Sequence, residues 1–361
     1  MIRRGRCGAR FALLSAFLLY SGCAAGGEVS APQRVERLVV SDGWLAMGTF
    51  FEADLRVRAE NRSSALSWLD WARAEVARLE QIYSRHDPTS ELSQLNRALS
   101  SVPPDPGATP VGVTLEGILR QAARVWRQSG GAFDPTVGPL VDVWTAAGEQ
   151  GDWPAQESLE AAQRRVAGGR LLGMKEGRVS ASLRGARLDL DGISKGAVLD
   201  YLGDRFVDRL PGGAALLSFG ESSVLAIGDP EGDPVEGGWR MEARSRDDQG
   251  GTLATVLLRD AALSVSSSVG REIQIGAERV SHVLDPRTGQ PVKGSIEAIV
   301  VSERAALADA WSTALLVLGT ELMALERAEQ VGIEACVFES GGRRSAATSG
   351  WERFEAPVAD R

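Results

Sequence analysis

The hydrophobic pattern of this chain changes period several times, and that limits the folds open to it. Phe51, Ala53, Leu55 and Val57 alternate with Glu52, Asp54, Arg56 and Arg58, the two-residue period of a strand. From Ser63 to Tyr83 the period lengthens, with Leu66, Leu69, Val76, Leu79 and Ile82 recurring at helical spacing. The Pro/Gly-rich stretch Val102 to Gly112 predicts a loop, and Thr114 to Gln128 a second helix stopped by Gly130-Gly131. A short helix is expected near Ser158 to Val166. Strands are expected at Arg187-Leu190, Ala214-Phe219, Leu253-Leu258 and Ala298-Val301. Helices after Lys195 and from Ala305 to Leu318 are interleaved with them. Strands and helices mix without strict alternation, so the expected class is α+β, mixed sheets with packed helices, and not a doubly wound sheet. A chain of 361 residues, 43% hydrophobic, can bury a substantial core in one domain or two lobes. A soft boundary falls near residues 145–153.

The first residues are built differently. Arg3, Arg4, Arg6 and Arg10 precede the apolar run Phe11 to Tyr20, and Ser21-Gly22 lead to Cys23. A basic head, a short apolar stretch and a small-residue exit read as a secretory signal, too short to span a bilayer. Leu19-Tyr20-Ser21-Gly22-Cys23 resembles a bacterial lipobox, whose cysteine becomes a lipidated first residue; the alternative is a plain cleaved signal. The expectation is a signal at 1–22, a tether at 23–40 and an exported domain at 41–361. Its lipid anchor at Cys23 would hold it to a membrane on the periplasmic or extracytoplasmic side. Arg3-Arg4 leaves twin-arginine export open. The net charge is −8 and no Lys/Arg-rich block stands in the body, which argues against a nucleic-acid partner. Cys7 leaves with the signal and Cys336 lies in an apolar run, so neither a disulfide framework nor a CxxC metal site is expected.

Three segments carry chemistry. Leu188-Asp189-Leu190-Asp191-Gly192-Ile193-Ser194-Lys195-Gly196 reads as strand, turn and helix start, where glycines admit a ligand and the helix N-terminus with Lys195 favours an anion. It matches neither GxxxxGK[ST] nor GxGxxG, and a purely structural turn is the other reading. Asp309 and Thr313 share a face of the 305–318 helix and offer two hard oxygen ligands suited to Mg²⁺. The alternative is a buried Asp309 bonded to a neighbouring loop, with Thr313 bonded to its own helix. Ser281-His282-Val283-Leu284-Asp285-Pro286-Arg287-Thr288-Gly289 reads as a strand ending in a turn. It carries one of the two histidines, which is either a proton carrier or structural.

Taken in order, the motifs resemble those of the ApbE family of FAD:protein FMN transferases. Met47-Gly48-Thr49 resembles the opening motif. Tyr83 to Pro88, with Ser90-Glu91-Leu92-Ser93 and Asn96, resembles the second, and Gly131 to Leu140 with Trp144 the third. Asp189-Leu190, Gly192 and Lys195-Gly196 form the fourth, Ser281 to Gly289 the fifth, and Ala308-Asp309-Ala310 with Thr313 and Leu318-Gly319 the sixth. The resemblance implies a T-fold-related architecture. It implies FAD contacts at Met47, His86, Ala132, Phe133, Asp134, Asp189, Lys195 and Leu284, with Mg²⁺ held by Asp309, Thr313 and the carbonyl of Gly192. It implies transfer of the FMN half of FAD to a Thr or Ser hydroxyl of an exported or membrane-bound acceptor protein, with release of AMP. It implies His282 and Asp309 as the catalytic pair, with His282 or a nearby carboxylate relaying the proton, and Ser312 as a weaker ligand candidate.

The chain departs from the pattern in places. Phe219-Gly220-Glu221-Ser222-Ser223 stands where relatives carry a Gly-Gly pair, Ser266-Ser267-Ser268 where they have Thr-Ser-Gly, and His86 where an aromatic is common. Two further readings stay open: a pyrophosphatase giving FMN and AMP, or a lipid-anchored FAD-binding protein without turnover.

Overall fold

The computed structural model describes residues 2–4, 36–101, 108–166, 172–181, 185–220, 222–232, 237–247, 250–294, 296–320, 322–339 and 341–356. Cys23, the tether up to residue 35 and Glu221 lie outside them. So does most of the signal, of which only Ile2–Arg4 is described, paired with the strand Trp239–Arg244.

The chain enters as a hairpin of β1 (Leu38–Ala46) and β2 (Thr49–Val57). Met47 and Gly48 make its turn with φ of 50° and 70°. Two left-handed residues in a two-residue loop match the twist of the flanking strands. Glycine adopts that conformation freely, while Met47 bears roughly 1–2 kcal/mol for it. Part of this is offset by its N–H, which donates to Glu80 Oε1 at 3.0 Å. Glu80 lies on α1 (Arg62–Tyr83), and α2 (Glu91–Ser101), α3 (Val113–Gln128), α4 (Gly138–Gln150), α5 (Gln156–Gln163) and α6 (Ser194–Arg209) follow.

The remaining main strands are β3 (Ala214–Phe219), β4 (Ser223–Ile227), β5 (Trp239–Arg244), β6 (Thr252–Leu258), β7 (Ala261–Ser267), β8 (Ile296–Ser302), β9 (Glu334–Glu339) and β10 (Arg343–Ala347). Between β8 and β9 lie α7 (Ala305–Leu318) and α8 (Leu322–Glu329). Eight strands form one sheet in the order β10-β9-β8-β7-β4-β3-β2-β1, and every neighbouring pair is antiparallel. The α+β expectation holds, with α1, α6, α7 and α8 packed against the sheet.

The sheet's middle is covered on both sides, which is why every residue of β3 is buried and all but Ser218 are apolar. Ala215, Leu217 and Phe219 face the helical core, while Ala214 and Leu216 face the layer made by β5 and β6. A third, smaller core gathers Leu140, Trp144, Leu159, Ala162, Val166 and Leu284 around α4 and α5.

α7 lies at the centre and buries eleven of its fourteen residues. A helix enclosed all round must find partners for its polar side chains. Ser312 turns to the sheet, where its hydroxyl lies 3.1 Å from Ser264 Oγ and 2.7 Å from Ser266 Oγ. It also donates to the carbonyl of Asp309 at 2.9 Å. α6 crosses α7 so closely that a Cβ on Gly196 would stand 2.3 Å from the carbonyl oxygen of Ala305. Only glycine fits there.

Residues 187–190 are a correction: they are not a strand. The side chain of Asn96 takes the place of a neighbouring strand, donating to Leu188 O at 2.9 Å and accepting from Leu188 N–H at 2.7 Å. Pro135 O accepts from Asp189 N–H in the same way. The strand before His282 ends early, at Val280. His282 therefore lies in irregular chain between that strand and the Leu284–Pro291 bridge.

Candidate active site

One cavity of about 1530 Å³ opens between the β1–β2 turn, the start of α6, α7 and the 281–286 segment. Met47, His86, Ala132, Phe133, Asp134, Asp189, Gly192, Lys195, His282, Leu284, Asp309 and Thr313 all line it, and Ser312 does not. Segments more than a hundred residues apart thus meet around one space large enough for a dinucleotide.

The floor is made by α6 and α7. Asp309 is buried, and its carboxylate accepts from Gly196 N–H at 3.1 Å through Oδ2 and from Ser223 Oγ at 3.2 Å through Oδ1. Thr313 Oγ1 donates to the carbonyl of Asp309 at 3.4 Å. Gly192 packs beneath Phe133 and against Thr313. A Cβ there would lie 3.2 Å from both Phe133 Cε2 and Thr313 Oγ1. Asp309, Thr313 and the Gly192 turn therefore converge, while Asp309 also makes the structural bonds of the alternative reading.

Among the described residues no group of three or more His, Cys, Asp or Glu could cage a metal. One carboxylate, one hydroxyl and a nearby backbone turn are a donor set for Mg²⁺ that completes its octahedron with water and phosphate oxygens. The residues fit a cation shared with a bound diphosphate.

The wall toward α1 is charged. Arg85 is held between Asp189, 2.6 Å away, and Asp142, at 2.9 Å, and Arg187 also pairs with Asp142 at 2.9 Å. Burial, and next repulsion from Asp191, push the Asp189 carboxyl above its ordinary range against the pull of Arg85. Burial would raise Asp191 as well. Its bond to His86 and the charges of Lys195 and Arg85 outweigh that and hold it low. His86 Nε2 lies 3.5 Å from Asp191, and this contact raises the imidazole pKa.

Lys195 sits in the first turn of α6 and donates to Asp191 O at 3.0 Å. Asp134 faces the cavity, yet its carboxylate accepts from the N–H and hydroxyl of Thr136, at 2.8 and 2.7 Å, and so closes the Pro135 turn. Across the cavity, desolvation and then Arg271 and Arg246 depress His282 to about 4. That leaves it neutral and weakly basic near pH 7, although the residue is exposed to solvent, which works against so large a shift. Ser268, in place of the family's glycine, bonds to Gly294 O and Ile296 N–H at the sheet's end.

Four contributors escaped the sequence reading. Arg246 and Arg271 flank His282, Ser223 bonds to Asp309, and Arg85 holds Asp189. Each acts on a residue distant in sequence or carries no motif of its own. Only Arg85, inside the Tyr83–Pro88 block, offered a signal.

The eight-stranded sheet and its helices are shared with solved structures. The ApbE protein of Thermotoga maritima superposes with a TM-score of 0.76 at 22% identity, covering 89% of this chain and 100% of that one. The flavinyl transferase ApbE of Pseudomonas stutzeri gives 0.73 at 23%, covering 89% and 98%. At those identities the likeness is one of fold. The sequence carries it further. The chain is 28% identical over 319 residues to the FAD:protein FMN transferase of Escherichia coli K12, covering 86% of this chain and 87% of that protein. The ApbE family pattern matches residues 47–337, and the chain belongs to that family.

Proposed function

We propose that this chain is an FAD:protein FMN transferase. It would move the FMN half of FAD to a Thr or Ser hydroxyl of an acceptor protein and release AMP, working outside the cytoplasm from a lipid anchor at Cys23. The observation that carries the catalytic reading is the convergence of Asp309, Thr313 and Gly192 at the floor of one large cavity, with Lys195 on the rim beside them. Together they suit a diphosphate: a helix N-terminus, a lysine and hard oxygen ligands lie side by side. Mg²⁺, when bound there, neutralises charge on the diphosphate.

The acceptor oxygen forms a bond to the FMN-side phosphorus, the bridging P–O bond breaks, and AMP departs with the electron pair. The hydroxyl proton passes to His282, whose neutral imidazole lines the cavity beside Arg271 and Arg246. Lys195 lies where it can leave Asp191 O for a phosphate oxygen. Phe133 and Met47 offer apolar surface to the flavin and adenine rings.

The anchor rests on the Arg3–Cys23 sequence alone. No helix among the described residues is long and apolar enough to cross a membrane.

The test is incubation with FAD, Mg²⁺ and a threonine-containing acceptor, followed by acceptor mass and free AMP. FMN-sized mass on the acceptor, with matching AMP, is the expected result. AMP with no gain in acceptor mass would make the protein a pyrophosphatase, and neither product would make it a binder.

A further inference from the structure

Beneath the cavity, α6 and α7 cap each other. Asp309, on α7, accepts from Gly196 N–H in the first turn of α6. Asp200, on α6, accepts from Ala305 N–H at 2.7 Å and Ala306 N–H at 3.1 Å, the first amides of α7. Each carboxylate satisfies orphan donors at the other helix's start. With Gly196 pressed against Ala305, this exchange fixes the backbone of both helices. What stays adjustable is the orientation of the Asp309 carboxylate itself. One side chain sets it from behind: Ser223, at the start of β4, fully buried and donating to Oδ1.

We infer that Ser223 is a positioning residue for the cation site, turning the Asp309 carboxylate so that its remaining lone pairs face Thr313 and the cavity. This rests on the metal reading above. A carboxylate oxygen has two lone pairs, so each oxygen of Asp309 can accept its present bond and still offer a second pair to an ion. A hydroxyl behind a ligating carboxylate removes rotamers that would point it away.

The structure supplies its own control. Ser264, on β7, stands directly opposite Ser223 in the sheet, is equally buried and also bonds to α7, but to Ser312. A loss of packing or of one hydrogen bond to α7 would be felt in both variants. A loss of carboxylate orientation belongs to Ser223 alone.

The experiment titrates Mn²⁺ into the full-length protein with FAD present and follows free Mn²⁺ by electron paramagnetic resonance, with a protein-free blank. Ser223→Ala is expected to weaken Mn²⁺ retention about tenfold or more. Ser223→Thr, which keeps the hydroxyl, stays within about threefold of wild type, as does Ser264→Ala. Wild-type affinity in Ser223→Ala, or an equal loss in Ser264→Ala, overturns this inference and leaves the metal reading standing, provided Asp309→Ala releases Mn²⁺. If the wild type retains no Mn²⁺, or Asp309→Ala retains it fully, both fall together.

Discussion

The floor of the cavity and its rim are built on opposite principles. On the floor, Asp309 is enclosed, bonded to two other elements, and part of the mutual capping of α6 and α7. On the rim, Lys195 reaches only the carbonyl of its own turn, and His86 is an exposed side chain beside an exposed Asp191. The difference teaches where function and stability are joined. A floor residue serves both, so its loss harms both. A rim residue can be changed with the fold intact.

The sharpest way to break this distinction is Asp309→Ala. The account expects transfer to fall by about a hundredfold or more, the scale of losing a principal charge-stabilising group. Gly196 N–H and the Ser223 hydroxyl would lose their acceptor, so unfolding free energy should fall by about 1–3 kcal/mol. Activity assays beside urea titration check both. Full stability in this variant would show that floor and rim do not differ as claimed. Thr313→Val, which removes a neutral ligand bonded only within its own helix, should raise the Mg²⁺ needed for half-maximal transfer with little loss of stability.

On the rim, Lys195→Ala should weaken FAD binding by about 1–3 kcal/mol, the range for a charge-assisted contact. Its urea midpoint should match the wild type, because its one protein bond is to a half-exposed turn. An unchanged FAD titration would remove Lys195 from the site.

The smallest expected effect sets the two histidines against each other. By proton NMR on the ligand-free protein, His86 should titrate above its ordinary 6.5, held up by Asp191, and His282 at about 4. The folded protein then holds fewer protons at His282 than the unfolded chain between pH 6.5 and 4. That contribution to stability is full above 6.5 and is lost as pH falls through 4. His282→Gln should flatten this part of the acid limb. Two histidines titrating together near 6.5 would contradict the electrostatic account.

Local patterns were legible where one element's periodicity decided them. Leu66 to Ile82 marked α1, Leu115 to Trp126 marked α3, and Ala305 to Leu318 marked α7 nearly to the residue. Residues 187–190 misled because their alternation is satisfied by Asn96, a side chain 92 positions away, instead of by a strand. The site residues were legible through motif order, and all of them but Ser312 reached the cavity. Their partners were not. Ser223 to Asp309 and Asp200 to Ala305 are contacts across 86 and 105 positions, and no local spacing marks a serine as the support of a distant carboxylate. Ser312 looked like a ligand from its place in the motif. Ser312 lies three residues on, near the same face as Asp309, and only its contacts with Ser264 and Ser266 on the sheet show where its hydroxyl turns.

The central claim is that the Asp309–Thr313–Gly192 floor works through a divalent cation on the FAD diphosphate. The direct measurement is the intact mass of a threonine-containing acceptor after incubation with wild-type protein and FAD, in Mg²⁺ and in EDTA. The account predicts FMN-sized mass on the acceptor in Mg²⁺, none in EDTA, and recovery when Mg²⁺ is restored. Equal transfer in EDTA would contradict it.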